Sequence, residues 1–292
     1  MSLSATEAKS GKGHEDENFP VASRLIAPRH RGPILAFYRF VRAADDVADH
    51  AGMTADEKLR TLDALDAALT GRGPTDPEAE PLHRSLAERG LPPRHAQDIL
   101  DAFRLDARKT RYRDWPDLMA YCRLSAMPVG RFVLDVHGED RATWTASDPL
   151  CAALQVINHL QDCGKDFTAL DRVYLSEDAM TRHGARAEDL AGARSTPALL
   201  AVVRELNDGA AGLLRESARF PAATSDARLG LEVSVIQALA EALVARLGRA
   251  DPLAERVHAT KAEALGAAAL GVLRGLWQRG RRRGRPHRGA AA

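Results

Sequence analysis

The 292-residue chain is poor in the residues that build strands and cross-links. Aromatic residues supply 5% of it, and its three cysteines, Cys122, Cys151 and Cys163, are widely spaced with no CxxC pair. That spacing argues against a disulfide framework and against a cysteine-rich zinc site. An excess of one charge is also missing, since 41 basic residues stand against 40 acidic ones. Coating nucleic acid requires a basic excess over a whole face, so nucleic acid is not an expected partner. No window approaches eighteen uninterrupted apolar residues, and the opening MSLSATEAKSGKGHEDEN has neither the apolar core nor the cleavage pattern of a secretion signal. The expected location is cytoplasmic. No GxGxxG joins a strand pattern to a helix pattern, which removes the usual sequence case for a nucleotide-binding fold.

What is present favours helices. Hydrophobic residues make up 45% of the chain and charged residues 28%, with Ala and Leu dominating over Val, Ile, Thr and the aromatics. Residues 19 to 50 read as helix interrupted or capped around Pro28 and Pro33, and Thr54 to Glu57 form a capping-box pattern before the next helix. Further helices are expected over about 78–88 and 93–108. Another opens at Asp114 and Pro116 and kinks at Pro128 and Gly130. Ser147-Asp148-Pro149 is expected to start a helix that reaches Phe167. Loop and short helices follow over 172–192, then long helices over 196–218, 226–247 and 251–278. The fold class is therefore all-α, one bundle around a cavity or core. The expected organisation is a flexible terminus over 1–18, one domain over 19–278 and a disordered basic tail over 279–292. That tail begins RGRRRGRPHR, a composition suited to solvent or to peripheral contact with anionic lipid.

Two segments carry the chemistry. In FYRFVRAADDVADH, Tyr38, Arg42, Asp45 and Asp49 follow steps of four, three and four, which places them on one helix face with the two carboxylates about 6 Å apart along the axis. Like charges so close disfavour each other without a cation between them. In LQVINHLQDCGKDF, Gln155, Asn158, Asp162 and Asp166 follow steps of three, four and four among apolar neighbours. One acidic i,i+4 pair is usually only a solvated helix face; two, each interleaved with apolar residues, are more specific. Hard oxygen donors of this kind suit magnesium, whereas zinc would recruit His or Cys. A rival zinc set of His159, Cys163 and Asp166 shares the second helix, but a lone His there more often packs or hydrogen-bonds. Asp46 faces away by helical period and is expected to buttress a basic group.

Together these residues resemble the squalene/phytoene synthase family. The matches are Tyr38 to Asp49 for a first aspartate motif, Gln155 to Asp166 followed by Arg172 and Tyr174 for a second, and YCRLSAMPVG over 121–130 between them. The resemblance spans roughly residues 18 to 180. It implies the isoprenoid synthase fold, a central hydrophobic cavity and three Mg²⁺ ions with bound diphosphate. Asp45, Asp49, Asn158, Asp162 and Asp166 would hold metal, while Tyr38, Arg42, Gln155, Arg172 and Tyr174 would bind substrate. Gln161, where many members have Arg, and the segment SAMPVG resemble the bacterial hopanoid branch. That branch converts presqualene diphosphate and water to hydroxysqualene and diphosphate without NADPH, between an upstream presqualene diphosphate synthase and a downstream hydroxysqualene-processing enzyme. Alternatives within the resemblance are squalene or presqualene diphosphate synthesis from farnesyl diphosphate, and a non-catalytic prenyl-diphosphate-binding subunit. Peripheral contact at the inner face of the membrane is compatible with a substrate of this kind.

Overall fold

A computed structural model describes residues 25–283. Residues 1–24, which include the expected terminus over 1–18, and residues 284–292 of the expected tail lie outside the described residues. Thirteen α-helices occur within the described residues: α1 (Pro28–Asp49), α2 (Ala55–Leu69), α3 (Glu80–Arg89), α4 (Arg94–Asp106), α5 (Trp115–Ser125), α6 (Met127–His137), α7 (Trp144–Gln161), α8 (Cys163–Leu170), α9 (Glu177–His183), α10 (Pro197–Ser217), α11 (Phe220–Ala223), α12 (Ala227–Leu247) and α13 (Lys261–Arg283). No strand ladder occurs among the described residues, only an isolated bridge between Arg111 and Val173. The all-α expectation holds.

Local chemistry explains where several helices start and stop. The Thr54 hydroxyl accepts from Glu57 N while Glu57 Oε2 accepts from Thr54 N, closing the capping box that opens α2. Pro28 takes the first position of α1, where a missing N–H costs nothing, and Pro33 lies one turn further in without breaking the helix. The expected kink around Pro128 is instead a full break at Ala126, so that Pro128 falls in the first turn of a new helix, α6. Asp148 and Pro149 do not open α7, which begins at Trp144 after a short 3₁₀ turn. Asp148 serves Arg131 instead, in a two-bond pair at 2.9 and 2.5 Å. The expected helix over 251–278 starts ten residues late, at Lys261, and reaches Arg283, five residues into the expected tail.

One cluster of buried apolar residues runs from Ile26 to Val257 and is centred on α1, α4, α7 and α10. Phe40, Leu62, Leu100, Val156 and Ile157 are fully enclosed in it. A smaller cluster joins α12 to α13 through Val235, Ala238, Leu239 and Ala267. Gly130 allows α6 to lie against α7: a Cβ there would meet Cys151 Sγ and Ser147 Oγ at 2.5 Å.

Candidate active site

The first carboxylates occupy the last two turns of α1. Arg42 reaches Asp45 Oδ2 at 3.0 Å and donates to Asp46 Oδ1 at 2.8 Å, so Asp46, which is buried, buttresses that guanidinium as expected. Asp49 is gripped from another part of the chain. Arg172 Nη1 donates to Asp49 Oδ1 at 2.5 Å, and Arg172 Nη2 donates to Ala48 O at 3.2 Å. Lys58, on α2, donates to the same carbonyl at 2.8 Å. Two cations thus meet the negative end of α1, where its last carbonyls are unsatisfied.

The second set lies on α7 and α8. Gln155 and Asn158 are half-buried on α7, Asp162 forms the joint between the two helices, and Asp166 follows on α8. The Asp166 N–H donates to Asp162 O at 2.8 Å, which carries the helical path across the joint and keeps the two carboxylates one turn apart. Gln161 is buried and donates to Val257 O in the segment before α13. This anchors the α7 end from behind.

Charge shows that the two sets act on one another. Burial, then Asp162, raises the Asp166 carboxyl to about 7, with Asp49 of α1 adding to the effect against Lys165 and Arg172. Burial, then Asp49, likewise raises Asp45 to about 7, despite the opposing Arg42. Part of the Asp45 side chain, 31%, is still accessible, so it lies at the edge of the cluster and not sealed within it. Oxygen donors that repel one another in this way form a site short of positive charge, which fits hard divalent cations.

Arg172 and Tyr174 are held by the backbone bridge. Val173 N donates to Thr110 O at 2.9 Å, and Arg111 ties down the preceding Asp171, whose φ of 51° is left-handed. Tyr174 stacks on His159 with ring centres 3.5 Å apart, and both lie in a buried cluster with Tyr112 and Tyr121. His159 therefore packs, as the bland reading expects; burial and then Arg172 lower it to about 3, so it is neutral. Beneath them Tyr121 donates to Asp106 Oδ2 at 2.8 Å, and burial raises Asp106 to about 7 despite the nearby Arg172. Tyr38 is half-buried on α1, one turn before Arg42.

Sequence reasoning missed Asp106, Lys58 and His258. Asp106 was findable: Ile99, Ala102 and Phe103 make the buried stripe of α4, and the next stripe position is an acid. His258 is coupled to Asp162 by charge and comes from a segment expected to be helix, so nothing marked it. A recess of about 430 Å³ between α1 and α3, lined by Ala36, Arg39, Arg84 and Arg89, holds none of the expected site residues. His30, His137 and Asp226 form a group of metal-ligating types whose atoms lie within 4.8 Å of one another, also apart from the carboxylates.

The sequence profile of squalene/phytoene synthase matches residues 13–263. The chain is 59% identical over 255 residues to the hydroxysqualene synthase of Rhodopseudomonas palustris, covering 87% of each chain. It is 52% identical over 283 residues to the hydroxysqualene synthase of Sinorhizobium fredii, covering 96% of this chain and 97% of that one. Among solved structures, the squalene synthase HpnC of Alicyclobacillus acidocaldarius superimposes with a TM-score of 0.69 at 31% identity, over 78% of this chain and 87% of that one.

Proposed function

Because this chain belongs to the squalene/phytoene synthase family, we propose that it converts presqualene diphosphate and water to hydroxysqualene and diphosphate. The reading is supported by Asp49 at the end of α1, whose charge acts on Asp166 of α8, and by Arg172, which grips Asp49 and also acts on Asp166. Asp45, Asp49, Asn158, Asp162 and Asp166 are the oxygen donors that would hold Mg²⁺, up to three ions with the diphosphate. Bound there, Mg²⁺ supplies neutralisation of the charge that develops on the leaving group.

The protein's own groups account for the remaining tasks. Arg172, and Arg42 fixed by Asp45 and Asp46, are charge donors of the planar type suited to diphosphate oxygens. Loss of diphosphate leaves a cyclopropylcarbinyl cation on the C30 chain. Ring opening makes that cation allylic, and the oxygen of one water adds to it. The proton lost from that water leaves with the diphosphate, so the products are an alcohol and a protonated diphosphate. Tyr174, with Tyr112 and Tyr121 behind it, would supply aromatic surface suited to a cation, and the half-buried Gln155 and Tyr38 would contact substrate. This route needs no hydride and hence no NADPH.

A membrane-borne substrate fits the last helix. Leu265, Leu270, Leu273, Leu276 and Trp277 are exposed on α13, and residues 264–292 contain seven Arg and neither Asp nor Glu. No helix among the described residues is long and apolar enough to cross a membrane. Peripheral attachment to anionic lipid on the cytoplasmic side is the proposed arrangement. Upstream and downstream enzymes of the same lipid route are the proposed functional partners.

The deciding experiment supplies purified protein, Mg²⁺ and presqualene diphosphate in ¹⁸O-labelled water, with and without NADPH. A labelled C30 alcohol formed without nicotinamide is the expected product. Unlabelled squalene that appears only with NADPH would overturn the reading in favour of squalene synthesis.

A further inference from the structure

Far from the carboxylates, three elements bring two imidazoles and a carboxylate together. His30 lies in the first turn of α1, His137 ends α6, and Asp226 caps α12. One ligand atom from each falls within 4.8 Å of the other two. Fifteen residues separate His30 from Asp45 on one helix, a distance of about 22 Å at 1.5 Å per residue. The group therefore cannot share an ion with the Asp45 and Asp49 wall.

The bonds these side chains make leave ligand atoms facing one another. His137 Nδ1 lies 2.7 Å from Val133 O, so it carries the proton and Nε2 keeps the lone pair. That Nε2 is buried, with no hydrogen-bond partner among the described residues. His30 is 6% exposed, and its Nδ1 is likewise buried and unpartnered, while Nε2 accepts from Arg29 Nε at 2.9 Å; giving up that bond moves the ring proton to Nε2 and frees the Nδ1 lone pair. Asp226 commits Oδ1 to the N–H groups of Arg228 and Leu229, at 2.7 and 3.1 Å, which leaves Oδ2. The two rings lie tilted by 33° with centres 4.2 Å apart, yet among the described residues no hydrogen bond joins them to each other or to Asp226. Two buried ring nitrogens without partners carry a desolvation cost that nothing nearby offsets.

The surroundings hold the group in place. Glu139 is buried and accepts from both Ser225 N and Asp226 N at 2.7 Å, fixing the backbone that carries the carboxylate. The His137 bond to Val133 O fixes one ring and its tautomer, as outer bonds do in metal sites. Burial, then His137, Arg29 and Arg89, lower His30 below its ordinary value, against the opposing Asp226. Burial opposes ionisation of Asp226, but the Leu229 and Arg228 N–H groups hold its carboxyl below the usual range.

We propose that His30, His137 and Asp226 form a structural site for a divalent transition ion of the zinc type, distinct from the magnesium-type oxygen site. Two imidazoles and one carboxylate are a zinc donor set, with water completing the tetrahedron. The ion ties the start of α1 to the end of α6 and the start of α12. Exposed Arg29 releases His30 on ligation, a small loss for a surface hydrogen bond.

The test uses the full chain, stripped by chelator and titrated with Zn²⁺ or Co²⁺ in the presence of Mg²⁺. One equivalent is expected to bind and to raise Tm by about 5 °C at a hundredfold excess over Kd. Co²⁺ should give the visible absorption of a tetrahedral nitrogen and oxygen site. His137→Gln should abolish both signals, and Asp226→Asn, which retains the helix cap, should weaken binding at least tenfold. Asp162→Asn should leave both signals intact, because it alters only the distant carboxylates. No Tm response and no Co²⁺ spectrum in the wild-type chain would overturn the proposal. So would an equal response in folded His137→Gln. If that variant does not fold, an undiminished Co²⁺ spectrum in Asp226→Asn would overturn it.

Discussion

Arg172 closes on Asp49 across 123 positions of sequence, its Nη1 2.5 Å from Oδ1 and its Nη2 on the neighbouring carbonyl of Ala48. The loop after the second carboxylate helix is thereby latched to the end of the first. Lysine keeps the charge at this position but cannot make both bonds. Arg172→Lys is therefore expected to lower kcat about 10- to 100-fold, read as release of diphosphate from presqualene diphosphate. Its circular dichroism spectrum should match that of the wild type.

Opposed pH dependences are built under the site. Asp106 has its carboxyl at about 7, against about 4 when unfolded, so the folded chain holds the extra proton between those values and its stability falls as pH rises through them. His159 sits at about 3 against about 6.5 unfolded, so its contribution rises as pH climbs from about 3 to about 6.5. Asp106→Asn should make the change in Tm from pH 4 to 6.5 more positive than it is in the wild type. His159→Phe keeps a ring on Tyr174 and should make that change more negative. Thermal melts across this range check both signs.

Gly130→Ala would drive a methyl group into Cys151 Sγ and Ser147 Oγ. Overpacking of this kind costs about 1–3 kcal/mol, or about 2–5 °C in Tm for a chain of this length. Adding Cys151→Ala should recover part of the loss, and a double-mutant cycle measures the coupling.

Asp171 holds a left-handed backbone at the end of α8, directly before Arg172. Asp171→Gly should be tolerated in stability, whereas Asp171→Val should lose about 1–2 kcal/mol. Denaturant melts provide the comparison.

For membrane attachment, the paired change Leu273→Glu and Trp277→Glu places two acids on the exposed face of α13. Co-flotation with vesicles rich in anionic lipid is expected to fall at least tenfold. Turnover of detergent-dispersed substrate should change little. Unchanged flotation would remove α13 as the contact.

How much of this was legible in sequence depends on whether the information was local. Helix period put Asp45 and Asp49 one turn apart at the end of α1, and the capping box opened α2 where Thr54 and Glu57 predict it; the helix expected to run through Asp162 instead breaks there into α7 and α8. The start of α7 misled because Ser147-Asp148-Pro149 reads as a cap, whereas tertiary structure employs Asp148 on Arg131 and buries Ser147 against α6. The late start of α13 hid for a related reason: residues 251–260 are drawn into the fold by Ser195, which donates to Asp251 Oδ1 at 2.6 Å, and by Gln161 on Val257. Asp106 continues the buried stripe of α4 and was open to local reading, whereas the group of His30, His137 and Asp226 depends on contacts between distant segments, which no local pattern encodes.

The single-residue bridge between Arg111 and Val173 makes the connection after α4 a ruler for the carboxylate cluster. Extended chain advances about 3.3 Å per residue. Deleting one residue between Asp106 and Arg111 would move the bridge by one notch, and with it the guanidinium that now meets Asp49. Loop length there, more than loop composition, is thus the quantity that an insertion or deletion cannot change without detuning the enzyme.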